Sequence, residues 1–302
     1  MRNLNGTRVN TLRKPDWLKT DSLGARRSGE MARMLRRAGL HSVCEEARCP
    51  NRGECFERGT ATFMILGDTC TRACRFCAVN HADAPSPPDP TEPERLAQAA
   101  AKLGLTHVVV TTVTRDDLPD GGAMHFAATI AAIRRHCAAG VTVEALISDM
   151  QGDPAALDAV FAARPDVLNH NIETAPRLYP IVRPQADYSR SLDVLRRAAD
   201  AGLLAKSGFM VGLGETPDEV QTLLADLRET GASIVTIGQY MQPDSDHLPV
   251  VEYVHPEQFS IYRNIALKLG FSLVAAAPLV RSSYHAEEAR AIMTRKEAAN
   301  NS

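Results

Sequence analysis

Short apolar runs that are rich in β-branched residues recur along the chain, with helix-forming stretches between them. Because β-branched and aromatic residues favour strands, the runs predict seven strands. They lie at Thr62–Leu66, Thr106–Val113, Val141–Leu146, Asp166–Glu173, Ala205–Leu213, Ser233–Met241 and Phe271–Ala277. Helical spacing of apolar residues predicts helices at Glu92–Lys102, Met124–Cys137, Pro154–Ala162, Tyr188–Ala201, Pro217–Thr230 and Pro256–Leu269.

This alternation of strands with helices is typical of βα units that build a parallel sheet. About six such units favour a barrel over a small open sheet, so we predict an α/β fold, a partial (βα)6 barrel of the TIM type. Several predicted strands run into polar or glycine-rich segments, among them Asp116–Gly122, Asn169–Thr174 and Val211–Thr216. Folds of this kind bind ligands at the carboxyl ends of their strands, so we expect these segments to form the walls of a site.

The charge of the chain is nearly balanced, with 34 lysines and arginines against 36 aspartates and glutamates among 302 residues. This balance disfavours nucleic acid as the main partner. No apolar run approaches the roughly 18 residues of a membrane-spanning helix, and the polar residues 1–19 do not have the pattern of a secretory signal. We therefore expect a cytoplasmic protein, in which stable disulfides are rare. The seven cysteines need another explanation.

Three cysteines directly follow the first predicted strand, at Cys70, Cys74 and Cys77, with the spacing C-x3-C-x2-C. Three thiolates on one loop can bind three irons of a cubane cluster and leave the fourth iron without a protein thiolate. A zinc site is the alternative, because His81 would complete a Cys3His set. The position of the loop at the opening of a predicted barrel favours the cluster.

The chain has two such triplets, and the first lies just upstream of this second one, at Cys44, Cys49 and Cys55, with the spacing C-x4-C-x5-C. By itself it is ambiguous between a cluster, a zinc site and a structural role. Six cysteines in two triplets near the mouth of one predicted barrel favour two clusters. Cys137 stands apart and is expected to be an inert small side chain.

The spacing of the second triplet, on the loop after the first barrel strand, resembles the signature of the radical SAM superfamily. This resemblance implies that the amino and carboxylate groups of S-adenosylmethionine bind the open iron of a 4Fe-4S cluster. An electron from the cluster then cleaves the sulfonium into methionine and a 5′-deoxyadenosyl radical. The cofactor supplies the difficult chemistry in such enzymes, and the protein positions the substrate.

The amino-acid sequence as a whole, including the stretches outside the triplets, resembles the lipoyl synthase family over nearly the whole chain, from RKPDWL to RSSYHA. Similar stretches include CEEARCPNRGECF, GDTCTRACRFCAV, TRDDLPDGGA, NIETAPRLY, SGFMVGLGET and HLPV. Gln185, where many family members have glycine, departs from the pattern, as do Met241 and Asp244. The resemblance divides the chain into an amino-terminal extension at 1–58, a radical SAM partial barrel at 59–277 and a carboxy-terminal segment at 278–302.

The resemblance implies that the first triplet holds an auxiliary 4Fe-4S cluster whose fourth ligand is a serine of RSSY. Ser282 and Ser283 both fit, and we assign Ser283. The alternative for these serines is capping of a following helix that begins with Glu287 and Glu288. The implied reaction inserts two sulfur atoms, drawn from the auxiliary cluster, at C6 and C8 of an octanoyl chain on a lysine of a lipoyl carrier domain.

The implied partners of this reaction are octanoylated carrier domains, either E2 subunits of 2-oxoacid dehydrogenases or the glycine cleavage H protein. A ferredoxin or flavodoxin-type reductant and an iron–sulfur carrier protein complete the set. The rivals are another sulfur-inserting radical SAM enzyme such as a methylthiotransferase acting on RNA, a zinc-stabilised binding module, and a simple iron–sulfur electron carrier. The lack of a basic extension argues against RNA.

Polar residues at a predicted strand end are candidate contacts for S-adenosylmethionine or substrate. Strand alternation places Asn169, Asn171 and Glu173 on one face, and buried polar groups need partners. A hydrogen-bonded polar layer inside the barrel is the alternative. Arg281 is a candidate for pairing with a substrate carbonyl, a cluster sulfide or a carboxylate, and a plain salt bridge is its alternative.

Two glycine pairs complete the candidate site. Gly212 and Gly214 resemble the superfamily's adenine-side glycine motif, where a ligand approaches the backbone closely. Gly121 and Gly122 resemble the region that meets the methionyl amino group. A plain turn is the alternative for this second pair.

Overall fold

The computed structural model describes residues 12–19, 25–43, 51, 55, 60–283 and 289. Its centre is an eight-stranded sheet with the order β1-β2-β5-β6-β7-β8-β9-β10, and β3 pairs with β4 separately. The strands are β1 His41–Ser42, β2 Thr60–Ile65, β3 Thr69–Cys70, β4 Asn80–His81, β5 His107–Thr112, β6 Thr142–Leu146, β7 Val167–Asn169, β8 Leu204–Val211, β9 Ile234–Gln239 and β10 Leu273–Ala276. All seven predicted strands are confirmed.

Helices connect the successive parallel strands, and the six predicted ones are confirmed. The helices are α1 Ala25–Arg37, α2 Glu92–Lys102, α3 Ala123–His136, α4 Pro154–Ala162, α5 Tyr179–Val182, α6 Tyr188–Asp200, α7 Pro217–Glu229 and α8 Pro256–Lys268. Local capping explains several starting points: Asp153 and Asp187 cap α4 and α6, and Thr216 forms a capping box with Glu219 at α7. Short 3-10 turns lie at Asp16–Leu18, Met150–Gly152 and Pro176–Leu178.

The sheet forms a partial barrel, as predicted. The strands from β2 to β10 pair in parallel, and β1 adds to the edge of β2 in the antiparallel direction. Within the described residues β1 and β10 end the strand order without pairing to each other, so the sheet stays open. Both faces of the central strands are buried, since every residue of β2 and of β9 is buried. This burial is what helices packed on a parallel sheet produce.

A buried polar layer crosses the interior of the barrel. The Lys206 ammonium lies 2.9 Å from a Glu144 carboxylate oxygen, and the Asn169 amide donates to the other oxygen at 2.7 Å. Burial alone would raise the pKa of Glu144, but Lys206 and His107 lower it to about 2. A charged carboxylate is therefore held inside the barrel by its partners.

No helix in the described part of the chain is both long and apolar enough to cross a membrane.

Candidate functional site

A cavity of about 720 Å³ opens at the carboxyl ends of the parallel strands. The loop that carries the second cysteine triplet, residues 70–77, forms one side of it, and we call this segment the cysteine loop. The ends of β5, β6, β8 and β9 also line the cavity, as do residues 279–282. The cavity lies where the sequence predicted a site.

All three cysteines of the cysteine loop line the cavity, and their thiols are free. The Cys70 sulfur accepts hydrogen bonds from the backbone N–H groups of Arg72, at 3.4 Å, and Thr114, at 3.2 Å. A backbone turn from the Cys77 N–H to the Cys74 carbonyl, at 3.1 Å, brings these two residues together. N–H groups directed at a sulfur stabilise a thiolate and tune an iron–sulfur cluster.

The environment of the three thiols suits the binding of a positively charged metal centre. Burial raises the pKa of Cys77 to about 12 and also raises the pKa of Cys74, and neighbouring thiols add to both shifts. A metal that binds thiolates offsets this cost, because it supplies positive charge at the sulfurs. Within the described ranges no three His, Cys, Asp or Glu side chains converge on one metal ion. The ligands of a 4Fe-4S cluster each bind a different iron, and the three free thiols of the cysteine loop offer such a donor set.

Arg72 anchors the cysteine loop to the sheet. Its buried guanidinium donates to both oxygens of Asp116, at 2.6 and 2.9 Å, and to Asp149 at 2.6 Å. Burial would raise the pKa of Asp149, yet the hydrogen bond and charge of Arg72 lower it to about 2. Asp149 follows β6, so the anchor joins the cysteine loop to the loops after β5 and β6.

Two of the predicted polar residues, Asn171 and Glu173, line the cavity. Glu173 has a left-handed backbone with φ of 67°, and its N–H and carbonyl pair with Gly208 and Met210 of β8. Burial raises the pKa of Glu173, while Arg183 opposes the rise. A left-handed non-glycine residue held by a neighbouring strand is typical of a functional site.

Asn169 does not have the position that alternation predicted. Strand β7 ends at Asn169, so the alternation stops before Asn171, and the Asn169 side chain joins the polar layer with Glu144. For Asn169 the structure shows the alternative that the sequence analysis gave, a hydrogen-bonded polar layer inside the barrel. His170 lines the cavity instead.

The predicted glycines pack against protein rather than line the described cavity wall. A Cβ on Gly122 would lie 2.2 Å from Leu66, and one on Gly121 would lie 3.5 Å from Met150. Gly212 is closed off in the same way by Gln239 and the Glu252 carbonyl, and Gly214 faces Val251. The glycines in the wall are Gly208 and Gly238, which lie within strands and carry no turn signal.

Arg183 and His170 line the cavity but were not singled out from the sequence. An Arg183 nitrogen donates to the Asn171 carbonyl at 3.1 Å, and its charge favours the thiolate of Cys74. Burial, reinforced by Arg183, lowers the pKa of His170 to about 4, so this imidazole is neutral near pH 7. The sequence could have pointed to His170, because it lies within the polar segment at a predicted strand end. No local sequence pattern points to Arg183.

The terminal segment contacts the segment of the first triplet. The Asn51 amide donates to the Leu279 carbonyl at 2.6 Å, and the Cys55 N–H donates to the Asn51 carbonyl at 3.0 Å. Arg281 and Ser282 line the cavity, and an Arg281 nitrogen donates to the Val280 carbonyl. Ser283 belongs to the described residues but does not line the cavity. Cys44 and Cys49 lie outside the described residues.

Comparison with known proteins adds three results. The family profile of the radical SAM superfamily matches residues 64–227. The chain is 55% identical over 279 residues to a lipoyl synthase of Caldanaerobacter subterraneus subsp. tengcongensis, covering 92% of this chain and 97% of that protein. It is 56% identical over 287 residues to a lipoyl synthase of Methylococcus capsulatus, covering 94% and 88%.

Solved structures show the same fold at low identity. Methylornithine synthase (PylB) has a TM-score of 0.53 at 13% identity, over 82% of this chain and 81% of that chain. Streptococcus suis SuiB bound to S-adenosylmethionine has a TM-score of 0.56 at 10% identity, over 83% and 60%. These likenesses concern the fold alone.

Proposed function

The chain belongs to the lipoyl synthase family of the radical SAM superfamily, and on that premise we propose which residues perform its reaction. The enzyme is a radical SAM sulfurtransferase that uses 4Fe-4S clusters and S-adenosylmethionine. We propose that it inserts sulfur at C6 and C8 of an octanoyl chain attached to a lysine of a lipoyl carrier domain. The observation that carries the proposal is that the cysteine loop lines the same cavity as residues 279–282.

Cys70, Cys74 and Cys77 are proposed to hold the cluster that binds S-adenosylmethionine. When bound, these groups together supply hydrogen-atom abstraction from unactivated carbon. The cysteine loop contributes three thiolates, and its N–H groups at Arg72 and Thr114 stabilise the negative charge at Cys70. The anchor through Arg72 keeps the thiolates in place while cofactor and products exchange.

The polar side of the cavity is proposed to bind S-adenosylmethionine. Asn171 and Glu173 offer an amide and a carboxylate to hydroxyl and amino groups, and Arg183 offers a buried cation to a carboxylate. Gly208 and Gly238 make room for their neighbours in this wall, since a Cβ on Gly208 would meet Thr236 and one on Gly238 would meet the Val280 carbonyl. Gly212 packs against Gln239 of this wall, whereas Gly121, Gly122 and Gly214 pack against residues outside it.

The apolar side of the cavity suits the octanoyl chain. Met64, Phe76, Val79, Phe209 and Met210 line it. Each methylene that leaves water contributes about 0.8 kcal/mol, so an eight-carbon chain has ample binding energy for being held in one orientation. Correct placement of two carbons in turn is what this reaction requires from the protein.

Cys44, Cys49, Cys55 and Ser283 are proposed as ligands of the auxiliary cluster, the source of the inserted sulfur. Support comes from the contact between Asn51 and Leu279, which joins the segment of the first triplet to the segment that leads into RSSY. A serine oxygen is a harder ligand than thiolate, so it releases iron more easily when sulfur is removed. Arg281, in the cavity wall, is proposed to bind a carbonyl of the substrate.

The proposed partners follow from the substrate. An octanoylated E2 subunit or glycine cleavage H protein presents the chain, and a ferredoxin or flavodoxin-type protein supplies electrons. An iron–sulfur carrier protein is proposed to rebuild the auxiliary cluster after turnover.

The test combines metal analysis with mass spectrometry of a carrier domain. Anaerobically reconstituted protein is expected to hold about eight irons, the sum of two four-iron clusters. Octanoylated carrier domain is then treated with S-adenosylmethionine and reductant, and a dithiolane-sized mass gain supports the proposal. Eight irons without that mass gain would favour the alternative function, another sulfur-inserting radical SAM enzyme with a different substrate. Zinc in place of iron would exclude the mechanism.

The division of roles between the triplets has its own test. Cys74→Ala is expected to abolish cleavage of S-adenosylmethionine, whereas Cys55→Ala is expected to leave cleavage and stop sulfur insertion. Cys137→Ala is the matched control, because its sulfur donates a hydrogen bond to the Ala97 carbonyl and does not line the cavity. Equal losses of cleavage in Cys74→Ala and Cys55→Ala would contradict the division.

A further inference from the structure

Two side chains from outside the cysteine loop hold its peptide groups at both ends. We propose that Gln185 and His247 are positioning residues that set the conformation in which Cys70, Cys74 and Cys77 receive their cluster. The inference rests on the proposed function, since it takes these cysteines as the cluster ligands. Neither residue belongs to the proposed catalytic or cofactor-binding set.

Gln185 holds the first half of the loop. Its side-chain oxygen accepts the Ala73 N–H at 2.7 Å, and its side-chain nitrogen donates to the Thr71 carbonyl at 3.5 Å. One amide therefore brackets Arg72, whose own side chain points to Asp116 and Asp149. The loop is thus fixed both through the Arg72 side chain and through the peptide groups on either side of Arg72.

His247 holds the second half of the loop. Its Nε2 lies 2.8 Å from the Cys77 carbonyl oxygen and, since a carbonyl only accepts, Nε2 donates this hydrogen bond. Its Nδ1 faces the Asp244 carboxylate at 2.6 Å, and its own carbonyl accepts from Gln242 at 3.0 Å. The ring is held at both nitrogens, so the Cys77 carbonyl has a fixed direction.

The loop depends on these side chains because regular structure supplies little support there. Strands β3 and β4 pair over only two residues each, and the loop has no helix. Backbone groups without a partner in a strand or helix need another one, and the Ala73 N–H and the half-buried Cys77 carbonyl find theirs in Gln185 and His247. Backbone contacts of Arg75 with Val182 and Leu248 lie next to the same two segments. Gln185 and His247 therefore belong to segments that also contact Arg75, in the middle of the cysteine loop.

The first experiment measures hydrogen exchange of the cluster-free protein. In Gln185→Met, which keeps the size of the side chain but removes both hydrogen bonds, we expect the Ala73 amide to exchange at least tenfold faster. Gln185→Glu retains the acceptor and is expected to restore protection. Gln221→Met, at an exposed position of α7, is the matched control. Exchange at Ala73 equal to that of the control would overturn the role of Gln185.

The second experiment measures the reduced cluster by electron paramagnetic resonance in protein whose auxiliary cysteines are replaced. His247→Phe is expected to change the spectrum and lower the rate of S-adenosylmethionine cleavage at least fivefold, while His247→Gln, which keeps a donor, stays close to the parent. A His247→Phe spectrum and cleavage rate identical to the parent would overturn the role of His247. Loss of iron from Cys77→Ala establishes separately that the loop holds the cluster.

Discussion

The Asn51 side-chain amide donates a hydrogen bond of 2.6 Å to the backbone carbonyl of Leu279, across 228 positions of sequence. Asn51 stands between Cys49 and Cys55, and Leu279 stands just before Arg281. The bond therefore joins the segment of the first triplet to the segment that closes the cavity. If the auxiliary cluster takes ligands from both segments, this contact holds the two segments beside each other.

Replacing Asn51 by leucine tests this contact. We expect Asn51→Leu to lower the free energy of unfolding by about 0.5–1.5 kcal/mol, the ordinary value of one such hydrogen bond. Iron content is expected to fall towards one cluster per chain, and sulfur insertion to fall more than cleavage of S-adenosylmethionine. Equal losses in the two activities would show that the contact serves the whole fold rather than the auxiliary site.

Arg72 is expected to be the most costly single residue to remove from the cysteine loop. Arg72→Met leaves the carboxylate of Asp149 buried without its main partner, which destabilises by about 3–5 kcal/mol. Arg197→Met is the control, because its partner Asp158 is exposed and a surface pair contributes little. Chemical denaturation of the cluster-free proteins measures both changes, and similar midpoints for the two variants would contradict the prediction.

His170 predicts a pH dependence of stability. Its pKa is lowered from 6.5 to about 4 in the folded protein, chiefly by burial, so the unfolded chain binds one more proton between these pH values. This contribution to stability is complete above pH 6.5 and is lost as the pH falls, at about 1.4 kcal/mol per unit.

His170→Asn retains a donor for the Ile147 carbonyl, which His170 contacts at 2.9 Å, but does not titrate. Subtracting its unfolding free energy from that of the parent at each pH isolates the contribution. A flat difference between pH 4 and 6.5 would show that His170 is not the cause.

Gly238 is expected to accept no side chain. A Cβ at this position would lie 2.2 Å from the Val280 carbonyl oxygen, so Gly238→Ala must displace the segment that leads to Arg281 and Ser282. We expect at least a tenfold loss of sulfur insertion with a smaller loss of iron from the cysteine loop. Gly29→Ala in α1 is the control, since its Cβ would meet only the Arg33 guanidinium at 3.7 Å. Full activity in Gly238→Ala would disprove the close contact.

The elements of the fold and the cysteine triplets were predictable because their signals are local. A strand of a parallel sheet is buried on both faces, so runs such as Val108–Val110 stay apolar whatever their neighbours are. The spacing of Cys70, Cys74 and Cys77 likewise lies within one loop. The carboxyl ends of parallel strands share one edge, and this placed the site at the right end of the barrel.

The partners within the site were decided by the tertiary structure. Asn169 does not line the cavity and His170 does, because β7 stops at Asn169 and Glu173 takes a left-handed backbone, which breaks the alternation on which the prediction relied. Arg183, Gln185 and His247 reach the cysteine loop from more than a hundred positions away. Local sequence patterns carry periodicity and spacing, but which distant side chains meet depends on how the whole chain packs.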